Sequence, residues 1–281
     1  PGVIGGHCLI PNTILLKQCY PTSKFLEAIL ESNELRKKEI SNPRIKEDVD
    51  SLKIDVHGNL IASVNPDGKP RVMLAGHCDE IGLMVTYIDN EGYIYLTSIG
   101  GVDPNLLPGQ RVIIHGKEDI PGVIGKKAIH LTDEEERKKP KKFEDLWIDI
   151  GAKNKKEVEK LISVGDPITI SAGYMKLRNN LVVARGFDDR IGAFVVAEVL
   201  KELKKEKRLS AGVFGVSTVQ EELGLRGART SAFGINPDVG IAIDVGFTSD
   251  HPNVDKKKVG DIALGKGPII ARGPNINPVV F

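Results

Sequence analysis

The sequence predicts an α/β fold: a mixed sheet flanked by helices and interrupted by a β-rich, barrel-like insertion. Three observations carry this. Short apolar and β-branched runs bounded by Gly, Pro, Asn and Asp begin at Lys53, strand signals dominate residues 81–171, and an amphipathic helix with continuous apolar strands follows Gly186. At 281 residues the chain exceeds a single domain of roughly 100–200 residues, which leaves room for two compact units or one large one.

Taken in order, Phe25, Leu26, Ile29 and Leu30 recur at helical spacing, and Asn42-Pro43 supplies a cap and first-turn proline for a short second helix. Residues 53–56, 60–64 and 71–75 read as strands joined by hairpin turns at His57-Gly58-Asn59 and Asn65-Pro66-Asp67-Gly68. Within the β-rich part, strands are expected over 81–88, 93–98, 110–115 and 168–171, with one helix over 155–162. The run 132–142 is acidic and then basic without apolar anchors, the composition of an exposed loop. After Gly186 a long helix carries Ile191, Phe194, Val195, Val199 and Leu203 on one face. Residues 213–218 and 239–243 are continuous apolar strands, as in a parallel sheet covered on both faces. No internal repeat or low-complexity tract is present.

Composition excludes several function classes. With 41% hydrophobic and 27% charged residues and a formal charge of +1, the chain is that of a soluble globular protein, with nothing electrostatic asking for nucleic acid. Lys204, Lys205, Lys207 and Arg208 read as a solvated helix end. No run approaches the ~20 apolar residues that span a bilayer, and the opening lacks the basic start and apolar stretch of a signal peptide. Three cysteines, Cys8, Cys19 and Cys78, cannot all pair within one chain, so a reducing, cytoplasmic setting is expected.

Acidic and imidazole residues recur at equivalent places. His77 and Asp79 follow the 71–75 strand, Asp188 and Asp189 open the long helix, Glu221 and Glu222 follow 213–218, and Asp244 ends 239–243. In open α/β sheets ligands bind outside the carboxyl ends of the strands, so these tips are expected to share one crevice. Singly, a histidine after a strand or a Glu-Glu pair is usually surface decoration. Jointly, consecutive carboxylates beside apolar strands are costly to desolvate unless ions or donors compensate them, which favours a site. Imidazole with several carboxylates suits Zn²⁺, Co²⁺ or Mn²⁺, and a shared carboxylate can bridge two ions ~3.5–4 Å apart. Asp79, two residues beyond His77, would face the same side and hydrogen-bond its ring. Cys78, pointing the other way, reads as a small core residue. His7, His115, His130 and His251 lack comparable carboxylate neighbours at strand ends, although His130 and His251 could line a cleft. Gly100-Gly101 and Gly265-Lys266-Gly267 do not match a phosphate-cradling loop.

The runs MLAGHCDEIG from Met73, RGFDDR from Arg185, VQEELG from Val219 and IDV from Ile243, with GPNINP at 273–278, resemble the glutamyl and deblocking aminopeptidases, cocatalytic metallopeptidases of the tetrahedral-aminopeptidase type. The resemblance runs in order from about Lys53 to the end. It implies two divalent ions per subunit, zinc or cobalt with manganese also compatible. His77 and Asp244 would hold one ion, Glu222 would help hold the other, Asp188 would bridge them, and Asp79 would orient His77. Glu221 would be the general base for attack of metal-bound hydroxide on the first peptide carbonyl, releasing the N-terminal residue. The resemblance further implies a catalytic domain over 1–82 and 177–281, and a dimerisation insertion over 83–176. Peptides would be the substrates, and dimers could assemble into a tetrahedral dodecamer. Relatives of this type continue beyond the position of Phe281 with a histidine that completes the second metal site, so that ligand is expected outside these residues.

Two rivals are distinguishable. A catalytically impaired relative serving as an assembly or peptide-binding subunit would keep the fold without turnover. A glycoside hydrolase could use paired carboxylates as acid and base, but 5% aromatic residues and one tryptophan, Trp147, offer little for sugar stacking. A chelator separates the glycosidase from the metallopeptidase.

Overall fold

The computed structural model describes residues 48–281; the two helices expected from the N-terminal signals, with His7, Cys8 and Cys19, lie outside them. Strands β1 (Ser51–Ile54) and β2 (Leu60–Val64) form the first expected hairpin, antiparallel with Ile54 opposite Leu60. Its turn is held by Asp55 Oδ1, which accepts from the backbone N–H groups of Gly58 and Asn59 at 2.9 Å. The second expected hairpin does not form. Strand β3 (Arg71–His77) is separated from β2 by a distant strand, Gly212–Thr218, which runs antiparallel to β2 and parallel to β3. All seven residues of that strand are buried, so it needs a neighbour on each side, and the Asn65 side chain donates to Leu209 O at 2.9 Å just before it.

A closed barrel follows, made of β4 (Gly82–Ile88), β5 (Ile94–Ile99), β6 (Arg111–His115), β7 (Asp119–Lys126), β8 (Leu146–Asp149) and β9 (Pro167–Ile170). The strands close in the order β4-β5-β8-β7-β6-β9. Alternate residues point inward, and Leu83, Ile94, Ile114, Leu146 and Ile148 are fully buried in its core. Sequence patterning does not mark β7 or β8. Pro121 and Gly122 argue against a strand, yet β8 pairs with β7 only from Val123 onward, so at Pro121 the missing N–H faces no second neighbour. The exposed 132–142 segment contains a single helical turn, α1 (Glu134–Lys138), with an i,i+4 ion pair between Lys138 and Glu134 at 2.9 Å. Helix α2 (Lys155–Glu159) is capped by the Asn154 side chain and buries Val158.

A short hairpin, β10 (Met175–Lys176) and β11 (Val182–Val183), leads into α3 (Phe187–Leu203), then β12 (Gly212–Thr218), α4 (Arg226–Ile235), β13 (Val239–Ala242) and α5 (Lys256–Val259). The five-stranded sheet has the order β1-β2-β12-β3-β13 and is mixed, as expected. One face packs Ala62, Val64, Leu74 and Val213 under Val196 and Leu200 of α3; the other packs Ile61, Met73, Phe214 and Val216 against Ile235 of α4. The face of α3 that meets the sheet is rotated from the expected one, of which Leu203 still packs against the core. Gly192, Ala193, Val196, Ala197 and Leu200 are buried, whereas Val195 and Val199 are exposed. Small residues let the helix axis approach the strands closely, and that close approach decides the buried face. Among the described residues strand β13 is an edge of the five-stranded sheet, and Ile241 is 43% exposed. Among the described residues no helix is long and apolar enough to cross a membrane.

Candidate metal centre

The three adjacent parallel strands β12, β3 and β13 end together, and their carboxyl ends carry the site. His77 is the last residue of β3 and lies opposite Thr218, the last of β12; the β12 exit runs on to Glu221 and Glu222, and the β13 exit to Asp244. The start of α3 supplies Asp188. Where β3 meets α3 there is no room for side chains. A Cβ on Gly76 would lie 2.4 Å from Ala193 N, and one on Gly192 would lie 2.5 Å from Ile243 O. This backbone-to-backbone contact carries Asp188 to His77.

Asp189 is structural. The backbone at Asp188 and Asp189 is not helical, and Asp189 caps the first regular turn of α3: its Oδ1 accepts from Gly192 N at 2.9 Å and its Oδ2 from His77 N at 3.2 Å. It is fully buried. Burial, reinforced by the charge of Asp244, pushes its carboxyl up to about 7 against the pull of the Gly192 N–H and His77.

Asn59, which the sequence marks only as a turn residue, is also part of the scaffold. It is completely buried; its Oδ1 accepts from Val219 N at 3.0 Å while its Nδ2 donates to Gly227 O at 3.1 Å. Both ends of the loop bearing Glu221 and Glu222 are thereby pinned to the first hairpin. A signal exists in the Asn-Leu step opening β2, but the partners lie about 160 residues away.

The structure brings His77, Asp79, Asp188, Glu221, Glu222 and Asp244 together. His77 is buried, and its Nε2 lies 3.0 Å from Asp188 Oδ1, 3.6 Å from Glu221 Oε2 and 3.9 Å from Asp244 Oδ1. Asp79 departs from expectation in detail. His77 Nδ1 sits 3.0 Å from the backbone oxygen of Asp79 and 3.6 Å from its carboxylate. The carboxylate instead accepts the N–H groups of Glu221 and Glu222, at 3.1 and 3.2 Å, so it orients the acidic loop directly. Burial works against its charge, but His77 and these two donors hold the Asp79 carboxyl below its ordinary value.

Cys78 is half-buried and donates to Thr218 O at 3.2 Å, away from the cluster. His130 and His251 are exposed. His115 corrects the expectation that it lacks a carboxylate neighbour: the β6–β7 register sets it opposite Asp119, 2.7 Å from Nδ1, and its Nε2 lies 2.9 Å from the buried Thr169 Oγ1 on β9.

Carboxyl groups thus surround a single imidazole on several sides. Burial opposes a charge on His77, yet Asp79, Asp189 and Glu221 together raise it to about 9. Glu222 is pushed up to about 7 by burial and then by Asp188, and burial also raises Glu221, with Asp244 adding to it. Such a surplus of negative groups is what a divalent cation compensates. Two donor sets, His77 with Asp188 and Glu222, and His77 with Glu221 and Asp244, each place ligand atoms within 4.8 Å of one another. The borderline chemistry of these donors fits Zn²⁺, Co²⁺ or Mn²⁺.

The barrel also reaches the site. Gly100, just beyond β5 with φ +75°, has no room for a Cβ: it would lie 2.9 Å from Ile81 Cγ2 and 3.2 Å from Glu222 Cβ. Gly109 has φ +84° and open space around it. Both Gly100→Ala and Gly109→Ala are expected to cost about 1–2 kcal/mol of stability from the left-handed backbone. Only Gly100→Ala should also weaken divalent-ion binding, by about tenfold. Equal ion affinities for the two variants, measured by calorimetric titration, would separate the barrel loop from the site.

Comparison with known proteins bears on this centre. Residues 58–279 match the M42 glutamyl aminopeptidase family. A lysyl aminopeptidase of Pyrococcus furiosus is 38% identical over 237 residues, 83% of this chain and 66% of that protein. The solved Pyrococcus horikoshii TET1 peptidase, which can assemble into a tetrahedron or a large octahedral shell, is 34% identical, with a TM-score of 0.70 over 86% of this chain and 68% of that one. The solved structure of a Thermotoga maritima endoglucanase is 31% identical, with a TM-score of 0.59 over 76% of this chain and 61% of that one. The chain therefore spans between 61% and 68% of the length of these relatives.

Proposed function

The chain belongs to the M42 glutamyl aminopeptidase family, and from that premise we propose that it forms the metal-binding part of an aminopeptidase that removes N-terminal residues from peptides. The observation that supports this most directly is the pair of donor sets meeting at His77. His77 and Asp244 would hold one divalent ion, Glu222 would help hold the other, and Asp188 would be shared by both. When bound, the ions supply Lewis acidity to the first peptide carbonyl and acidify water near neutral pH.

Glu221 is the general base. It is partly exposed, as a group that must meet substrate should be, and burial lifts its carboxyl in the direction that favours taking a proton. Its Oε2 takes the proton of the attacking water and passes it to the leaving amine. Asp79 holds Glu221 and Glu222 through their backbone N–H groups and keeps the charge of its carboxylate beside His77.

In this reading the catalytic unit comprises residues 1–82 and 177–281, and the 83–176 insertion, whose barrel begins one residue earlier at Gly82, pairs subunits into a homodimer able to build larger shells; the Pyrococcus horikoshii relative can assemble into such shells. The glycosidase reading has no comparable support. The carboxylates converge on an imidazole, the donor mixture of a metal site rather than of an acid–base carboxylate pair alone.

The test is release of free amino acid from an unblocked peptide before and after chelation and metal return, with ion content measured per chain. Two ions and metal-restored release are expected; release that survives complete chelation would sink the proposal. Binding should also be linked to protons. Ligation needs Glu222 ionised and His77 neutral, yet these groups titrate at about 7 and about 9 in the ion-free protein. Ion affinity should therefore rise as pH increases from 6 to 9, with net proton release on loading at pH 7, measurable by calorimetry in buffers of different ionisation heat.

A further inference from the structure

Glu80 follows the His77–Asp79 turn, and its side chain is 5% exposed. Its Oε1 accepts from Arg190 Nη2 at 3.0 Å, and its Oε2 forms an ion pair with Arg185 Nε at 3.1 Å. Arg190 is 4% exposed, and its Nη1 has no hydrogen-bond partner, so Glu80 is the main compensation for that buried charge. A buried cluster of this kind contributes little net stability compared with apolar packing of similar volume, which directs attention to what it positions.

Each arginine leads elsewhere. Arg190 stands on the first regular turn of α3, two residues after Asp188, and its Nε reaches Cys78 O at 3.5 Å. Arg185 precedes α3 and its Nη1 donates to Ile170 O, the last residue of β9, at 3.0 Å. One carboxylate therefore ties together the turn that carries His77, the helix start that carries Asp188 and the barrel exit. The 3.0 Å spacing of His77 Nε2 and Asp188 Oδ1 is set between the first two of these.

We infer that Glu80 is a positioning residue: through Arg190 and Arg185 it holds His77 and Asp188 in register as metal ligands. The inference rests on the metal-centre reading above. An ion-pair cluster that merely stabilises the fold would lower the melting temperature when weakened and leave the ion's surroundings alone, whereas a clamp alters the ion's surroundings in protein that is still folded.

The probe is Co²⁺ added to the full chain, read by its dissociation constant and its visible absorption bands, with the near-ultraviolet circular dichroism of Trp147 reporting the fold. Glu80→Gln should weaken Co²⁺ binding at least tenfold and change the band shape, and Glu80→Asp, which restores the charge, should recover part of both. Arg185→Gln, which removes one arm, should give a smaller change in the same direction and serves if Glu80→Gln does not fold. An unchanged dissociation constant and spectrum in the folded variants, with only a lower melting temperature, overturns the clamp and leaves the metal centre standing. Absence of Co²⁺ binding by the unmodified protein overturns the metal-centre reading, and the clamp with it.

Discussion

Replacing Glu221 with glutamine is expected to leave ion content unchanged while lowering turnover by about 10²- to 10⁴-fold, the range a positioned general base contributes. The substitution keeps shape and volume and removes the ability to hold a proton. The geometry makes the ion measurement decisive, because Glu221 Oε2 is only 3.6 Å from His77 Nε2 and falls in a donor set with Asp244. If Glu221→Gln loses an ion along with activity, Glu221 is a ligand and the base must be sought elsewhere. If turnover survives, Glu221 has no part in the proton transfer.

Asp188→Ala should have the opposite signature. Asp188 Oδ1 lies closest to His77 Nε2 of the facing carboxylates, at 3.0 Å, and the residue shares a donor set with Glu222. If Asp188 bridges as proposed, its removal takes a donor from both ions at once. Ion affinity should fall by more than the roughly 10- to 100-fold typical of changes behind the ligands. The ion-free fold should be little affected, since the Asp188 side chain is 60% exposed. A further consequence is electrostatic: Asp188 is one of the charges raising Glu222, so Glu222 should titrate below its present value of about 7 in the ion-free variant. Two ions retained per chain, with an unchanged melting profile, would show that Asp188 bridges nothing.

These two variants separate proton transfer from ion binding, and both belong to the half of the site that local sequence makes legible. The strands ending in His77, Thr218 and Ala242 stand out as short apolar runs, and the polar residues beyond them stand out because charged groups seldom follow such runs without a reason. For Asp79 the neighbour is legible but the bond is not. The short extended stretch puts its backbone oxygen, not its carboxylate, against the His77 ring, which frees the carboxylate for the acidic loop.

Much of the scaffold has no local signature. Asn59 works through partners on a segment far along the chain, and Asp189 is distinguished from Asp188 only by the backbone that turns one inward as a cap and leaves the other facing His77. Hydrophobic patterning aims Val195 and Val199 of α3 at the sheet, whereas close packing rotates the helix to bury Gly192, Ala193 and Ala197 beside Val196 and Leu200.

Local sequence therefore specifies which segments are strands or helices wherever side-chain period is strong, and which residue types stand at their ends, because both depend on neighbours within one element. That β12 enters between β2 and β3, that β7 and β8 close the barrel, and that Glu80 meets two arginines are outcomes of tertiary structure alone. They depend on pairing and burial between segments brought together from different parts of the chain, where local periodicity carries no information about the partner.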